Sequence, residues 1–479
     1  MSTDDIAWMA GHELANAIRT KAISSTEAVT AVLEQLKRVE PHVNAFVTVT
    51  AEQALETAKA ADQQIARGES VGALHGVPIT VKDLTDTRGV RTTYGCAAFA
   101  DHVPDRDSVA WARLKAAGAI LIGKTTTPEF GLLGITESAL TGRTSTPWAA
   151  PTHISGGSSG GAAASVAAGV APFAWGSDGG GSIRVPAACC GVVGLKSSPG
   201  RIPMDDAAWD TTAVVGPLTR TVRDAALLLD VTSGPDARAP LSLPAPQESF
   251  ERATIGSTLR GLRIAFSPDF GSAEVDVEVA RIVRNAVLGM ESSGGAYVEQ
   301  VDMTVPDPVE YFRDVYGPGF ALALQIPTPD GVLGDGELHP VIRAIAEYGA
   351  GMDVLKHVEA QTETRTRILD GFLSVLGNHD LIVTPTMPIT AFRHPGPEAG
   401  NTHVNGKPVS YPMIDFHRMT ESPTHAALPA ITVNCGFTAE GLPVGLQIVG
   451  PQHADAAVLA AAAAFEAMTD WNGRRPPIA

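Results

Sequence analysis

From Leu74 onward the sequence keeps exchanging one hydrophobic period for another, and that exchange restricts the fold more than any other feature. HGVPITVKDL sets Val77, Ile79 and Val81 on one face of an extended segment and ends in the charged pair Lys82 and Asp83. A helical stretch, SVAWARLKAAG, follows, and then an apolar strand, AILIG. Next comes a segment near TTTPEF, where threonine caps and an early proline predict another helix. The exchange continues through AGVAPFAWGSD. Strands alternating with helices predict an α/β fold, a large mixed and mostly parallel sheet covered by helices on both faces.

The 479 residues are 44% hydrophobic and 18% charged, which supplies one sizeable core. Within a single domain, four stretches differ in pattern. Residues 1–65 are helical, with Ser24, Ser25 and Thr26 ahead of Glu27 as caps, and pack on the core or on a partner subunit. Residues 66–233 hold the alternating core, with the motifs discussed below. Residues 234–378 carry proline-rich joints (DARAPLSLPAPQ, IPTPDG), helical stretches and one strand-like piece, LRGLRIAFSPDF, and are read as a variable cap over the sheet. Residues 379–479 return to strands in DLIVTPTMPI and PAITVNCGFTAEGLPVGLQIVG, and a helix built from ADAAVLAAAAAFEAM closes the chain.

Several function classes are excluded. The net charge is −17 and no basic run occurs, so no nucleic-acid partner is expected. The acidic start, MSTDDIAWMAGHELANAI, lacks the positive charge of a signal peptide, and the longest apolar runs are too short and too alanine-rich to span a bilayer. The expectation is a soluble cytoplasmic protein without membrane contact. Cys96, Cys189, Cys190 and Cys435 form neither a disulfide framework nor a C-x-x-C site, and the histidines lack H-E-x-x-H spacing, so no metal is expected. GAILIGKT, Gly118 to Thr125, fits the spacing of a phosphate-binding loop. In that motif a strand precedes the glycine loop, whereas here Ala-Ile-Leu-Ile is itself the strand, so the nucleotide reading is set aside.

Two glycine-serine clusters lie inside apolar sequence, ISGGSSGGAAASVAAG (Ile154 to Gly169) and SDGGGSIRVP (Ser177 to Pro186). A flexible linker has polar flanks, but these run into VAAGVAPFAWG and VPAACCGVVGLK. Glycines in packed surroundings mark backbone that another group approaches closely. One serine of the first cluster can cap the alanine-rich helix behind it, but capping does not explain glycines on both sides of the pair.

GGSSGG followed by GSDGGGSIRVPAACCGVVGLK resembles the signature of the amidase signature family, serine hydrolases that cleave amides with a Ser-Ser-Lys triad. The resemblance extends upstream to GVPITVKDL, the family's lysine strand, and downstream to GLPVGLQIVGP, and so covers most of the chain. It implies that Ser182 is the nucleophile, that Ser158 is the bridging serine after a cis peptide bond, and that Lys82 is the base. It further implies supporting roles for Ser159, Asp178 and Arg184, and no cofactor. Many members carry Ile or Thr where this chain has Gly179, a departure that widens or loosens the loop.

Elementary chemistry agrees with these roles. A serine hydroxyl needs a neighbouring base to attack a carbonyl. Neither ISGGSSGGAAASVAAG nor SDGGGSIRVP contains a histidine, the resemblance assigns the base to a lysine, and only burial or positive potential keeps a lysine neutral. The N–H groups of Gly179, Gly180 and Gly181, with that of Ser182, would bind the oxyanion. The expected partner is a small-molecule amide with a hydrophobic or aryl acyl group, with carbamates, urethanes and esters open to the same chemistry, and a homodimer is an expected assembly. The alternative within the family is the amidase subunit of a tRNA-dependent glutamyl/aspartyl amidotransferase. Pocket walls are expected from FGLLGITESAL, IPTPDGVLGDGELHP and YPMIDFHRMTESP.

Overall fold

Residues 1–205, 212–328, 331–333 and 338–478 are described by the computed structural model. Eleven strands form one sheet. In spatial order they are Phe46–Val49, Ile120–Thr125, Pro78–Lys82, Phe173–Asp178, Val214–Thr219, Val193–Lys196, Ala430–Phe437, Pro443–Val449, Leu381–Pro385, Arg263–Phe266 and Tyr297–Gln300. The α/β architecture with a large mixed sheet is therefore present.

Strand directions depart from the mostly parallel expectation. Pro78–Lys82 runs parallel to both its neighbours, and so does Arg263–Phe266. The other six neighbouring pairs are antiparallel. The central strands are joined in part by short returns, such as the one from Phe437 to Pro443, and a short return forces an antiparallel pair.

Two of the stretches hold strands that the sequence patterns did not indicate as part of the sheet. The first 65 residues form the helices Gly11–Arg19, Ser25–Val43 and Ala51–Ala66, and in addition an edge strand, Phe46–Val49, paired to Ile120–Thr125. The stretch 234–378 is more than a cap, because Arg263–Phe266 and Tyr297–Gln300 complete one side of the sheet. Its helix Pro308–Ala323 and the later helix Arg418–His425 pack together over the carboxyl end of Phe173–Asp178, where Tyr316 and Thr420 reach Gly179 and Gly180. Near TTTPEF the expected helix is replaced by a single turn, Glu129–Gly131, in which Phe130 has φ of 52° and Gly131 of 74°. A side chain at Gly131 would lie 2.7 Å from Leu84 and 3.1 Å from Ser158 Oγ, so the chain passes too close to the site for a helix.

The strand Pro78–Lys82 is buried along its whole length, so its two faces look into two core layers and neither meets solvent. Ile79 and Val81 pack into one layer. Thr80 and Lys82 point to the other side, where Thr80 Oγ1 lies 2.9 Å from Ser165 Oγ of the helix Gly160–Ala167. That alternation delivers Lys82 to the serine cluster. In the set-aside GAILIGKT segment, Lys124 is fully buried and bonds Thr85 O, Thr87 Oγ1 and Thr92 Oγ1, so it ties down the loop after Lys82. Among the described residues no helix is long and apolar enough to cross a membrane.

Candidate active site

Lys82 is 0% exposed, and its Nζ donates to Ser158 Oγ at 2.7 Å and to Ser177 Oγ at 2.9 Å. Both partners are hydroxyls, which bond an amine without demanding that it carry charge. Burial lowers the Lys82 pKa to about 7, with the Asp178 carboxylate opposing the shift. A large fraction of this lysine is therefore neutral near pH 7.

Ser158 and Ser159 stand just ahead of the helix Gly160–Ala167, and the Gly157–Ser158 peptide is cis. The small residues have a reason at Gly160 and Gly161, where any added carbon would come within 2.5 Å of Thr136, Ser155 or Thr126. The helix is thus seated close enough for its leading serines to reach two other segments. Ser159 Oγ donates to Ser177 O at 3.1 Å, and Ser159 N donates to Ser182 O at 3.1 Å. Ser158, Ser177 and Ser182 consequently line one cavity.

The strand Phe173–Asp178 ends at the glycine triplet, and Asp178 organises the turn beyond it. Its carboxylate accepts from the N–H of Gly181 at 2.7 Å, of Ile183 at 3.2 Å and of Arg184 at 3.4 Å. The Arg184 guanidinium clamps the same carboxylate through Nε and Nη2, both at 2.9 Å. Neither side chain touches solvent. Burial raises the Asp178 pKa, but the charge and hydrogen bonds of Arg184, with Lys196 and the N–H of Ile183, outweigh that and hold it below the usual value. Arg184 is held in turn by Gln447 Oε1 at 2.7 Å and Thr424 Oγ1 at 2.6 Å. Gln447 belongs to GLPVGLQIVGP, so the C-terminal motif braces the nucleophile loop.

One of the three expected glycine donors is corrected. The Gly181 N–H is engaged by Asp178 and is unavailable to a ligand. Among the described residues, the N–H groups of Gly179, Gly180 and Ser182 have no acceptor. Gly180 and Gly181 cannot carry side chains, because a carbon there would come 2.5 Å from Glu421 Oε1 and 2.0 Å from Thr420 Oγ1. Gly179 is different: the nearest atom to an added carbon is Ala213 Cβ at 4.0 Å, so its bareness adds open space.

The cavity, about 850 Å³, is walled by Phe130 to Gly134 from FGLLGITESAL and by Met413, His417 and Glu421 from YPMIDFHRMTESP. In IPTPDGVLGDGELHP, residues 329–330 and 334–337 lie outside the described residues, and none of the rest lines the cavity. The helix Pro308–Ala323 supplies Phe312, Tyr316 and Phe320 instead.

Sequence reasoning missed four groups here. Ser177 sits in the quoted SDGGGSIRVP, but nothing distinguishes its hydroxyl from that of Ser182 until the fold aims it at Lys82. His417, Glu421 and His425 share one face of the helix Arg418–His425 and its cap, with Glu421 3.2 Å from His417 Nδ1 and 3.3 Å from His425 Nε2. The i, i+4 spacing of three ionisable residues in HRMTESPTH was the available signal. Burial raises the Glu421 pKa, and the two histidines more than reverse this, so the carboxyl sits below its ordinary value.

A large mixed sheet thus carries a buried lysine, two serine-bearing turns and a glycine cradle at one cavity. The chain belongs to the amidase family: the family model Amidase matches residues 27–459. It is 36% identical to an acylamidase of Rhodococcus erythropolis over 99% of this chain and 98% of that protein. It is also 36% identical to a glutamyl-tRNA(Gln) amidotransferase subunit from Moorella thermoacetica, over 99% of both. Among solved structures, a bacterial aryl acylamidase of the amidase signature family superposes with a TM-score of 0.91 at 30% identity, covering 97% of each chain. The protein is accordingly an amide-hydrolysing enzyme.

Proposed function

We propose that the chain hydrolyses hydrophobic or aryl amides, and by the same chemistry carbamates, urethanes and esters, through an acyl-enzyme on Ser182. The observation that carries this reading is the buried Lys82 amine, lowered to a pKa of about 7 and 2.7 Å from Ser158 Oγ. Neutral Lys82 takes a proton from Ser158 as Ser158 takes one from Ser182. The Ser182 oxygen then bonds to the amide carbon. The carbonyl oxygen becomes an oxyanion facing the free N–H groups of Gly179, Gly180 and Ser182. The proton returns through Ser158 to the nitrogen, the C–N bond breaks, and the amine leaves. Water enters by the same relay and releases the acid.

Apolar or aryl substrates are favoured by a wall that includes Leu84, Leu132, Leu133, Phe312 and Phe320. The test is a panel of chromogenic anilides, esters and carbamates, run on the purified chain and on Ser182→Ala. Turnover of aryl amides by the wild type, lost by several orders of magnitude in Ser182→Ala, supports the reading. Near-normal turnover in that variant ends it.

A second reading has a specific observation behind it, the equal identity to the Moorella thermoacetica amidotransferase protein. In that case the chain would work inside a complex and draw ammonia from glutamine. A purified homodimer that hydrolyses anilides unaided counts against it.

A further inference from the structure

The carbonyls of the glycine loop are held from outside the loop, by hydroxyls of the two helices that cross over it. Tyr316, on Pro308–Ala323, donates to Gly179 O at 2.7 Å. Thr420 Oγ1, on Arg418–His425, lies 2.7 Å from Gly180 O and also 2.7 Å from His417 O, and its one proton serves either carbonyl. In a trans peptide the C=O and the next N–H point in opposite directions. A fixed Gly180 carbonyl therefore fixes the Gly181 N–H, and that group is found on Asp178. A fixed Gly179 carbonyl fixes the Gly180 N–H in the same way, and among the described residues this N–H has no acceptor.

Resting on the Ser182 reading, we infer that Tyr316 is a positioning residue for hydrolysis. By holding the Gly179 carbonyl, its hydroxyl locks the Gly179–Gly180 peptide plane with the Gly180 N–H turned toward the oxyanion formed at Ser182. The phenol proton has two acceptors within reach, Gly179 O at 2.7 Å and Glu421 Oε2 at 3.1 Å, and the shorter contact is the one to Gly179. His425 Nε2 lies 3.2 Å from the same oxygen and, when protonated, donates to it. Glu421 also approaches Gly180 so closely that an added carbon would lie 2.5 Å from it, so the carboxylate and the loop are in direct contact. The cap thereby sets the geometry of the donor as well as the wall of the cavity.

Tyr316→Phe tests this, because Phe keeps the ring packed against Phe312 and His425 and removes only the hydroxyl. The probe is a decyl fluorophosphonate, which reports the site without requiring the natural substrate. Ser182 Oγ bonds to phosphorus, the P–F bond breaks, fluoride leaves, and the hydroxyl proton passes through Ser158 to Lys82 while negative charge builds on the phosphoryl oxygen. Labelling is followed by intact mass to its end point, so the rate constant is that of the folded fraction even if some chain unfolds.

The expected result is a first-order labelling constant lower by about ten- to a hundredfold, since a whole oxyanion donor is worth about 10² to 10³. The concentration for half-saturation should stay within about threefold, because ground-state binding does not use the donor. A merely structural tyrosine would alter the labelled fraction or the half-saturation and leave the constant unchanged, and that result overturns the inference. Ser182→Ala is run alongside: labelling that persists there defeats the Ser182 reading itself. Silence of Ser182→Ala together with an unchanged constant in Tyr316→Phe defeats only the positioning role.

Discussion

Lys82 Nζ and Ser158 Oγ share a 2.7 Å hydrogen bond in a place where the lysine is 0% exposed and the serine 1%. A protonated amine there lacks both water and a bonded carboxylate, since the charge of Asp178 acts on it only at longer range. The proposed chemistry depends on that deprivation, because a neutral amine is the form that removes a proton.

Replacing the bridge gives the first expectation. Ser158→Ala interrupts proton transfer and changes the cavity lining by one hydroxyl only, so kcat should fall by about 10² to 10⁴, the usual span for general acid–base assistance, with little change in KM. Steady-state kinetics on one chromogenic anilide decide it. A variant within about twofold of wild type would mean that Lys82 reaches Ser182 without Ser158.

The buried lysine should also cost stability. Lys82→Met removes a group whose pKa falls from 10.5 in the unfolded chain to about 7 in the folded one. Between those values the unfolded chain binds the extra proton, so wild-type stability rises with pH across that window. Lys82→Met should therefore be inactive yet more stable below pH 7, by about 1 kcal/mol or more, with the advantage shrinking as pH climbs toward 10.5. Urea denaturation at several pH values measures the difference.

Asp178 and Arg184 predict the opposite sign. Asp178→Asn leaves the Arg184 guanidinium charged, buried and without its carboxylate, while three backbone N–H groups lose an anionic acceptor. A loss of about 3 to 5 kcal/mol in unfolding free energy is expected. Thermal and denaturant melts reveal it, together with a collapse of activity.

Lys82, Ser158, Asp178, Ser182 and Arg184 were legible through the resemblance of their motifs to the family signature. Lys82 bonds Ser158, Arg184 bonds Asp178, and Ser182 lines the same cavity as Ser158. Tyr316 and Thr420 were not legible, since they reach the glycine loop across 137 and 240 residues, a separation no local pattern records. Strand direction was hidden for a related reason: alternation reveals that Phe173–Asp178 is a strand, but only tertiary packing places Val214–Thr219 antiparallel beside it. The turn at Glu129–Gly131 escaped because threonine caps and a proline look the same whether a helix or a single turn comes next.

Gly179 offers a prediction about selectivity. Its φ lies outside the left-handed region and the space around its absent Cβ is open, so Gly179→Ile should fold with a stability change below about 0.5 kcal/mol. The new side chain would project into the cavity. The ratio of kcat/KM for a bulky naphthyl anilide over a simple acetanilide should fall by about tenfold, the scale on which a pocket discriminates by a few methylene groups. An unchanged ratio would place the acyl and aryl groups elsewhere in the cavity.

The most direct measurement is the pH dependence of kcat/KM, which reports the free enzyme's base. With a Lys82 pKa of about 7, kcat/KM should rise from low pH, pass half its limit near pH 7 and level off on the alkaline side. The limb should be absent in Lys82→Arg, whose activity should be negligible throughout because a guanidinium stays charged. A flat profile from about pH 5 to 9, or a Lys82→Arg variant that retains the wild-type curve, would contradict a neutral Lys82 as the base.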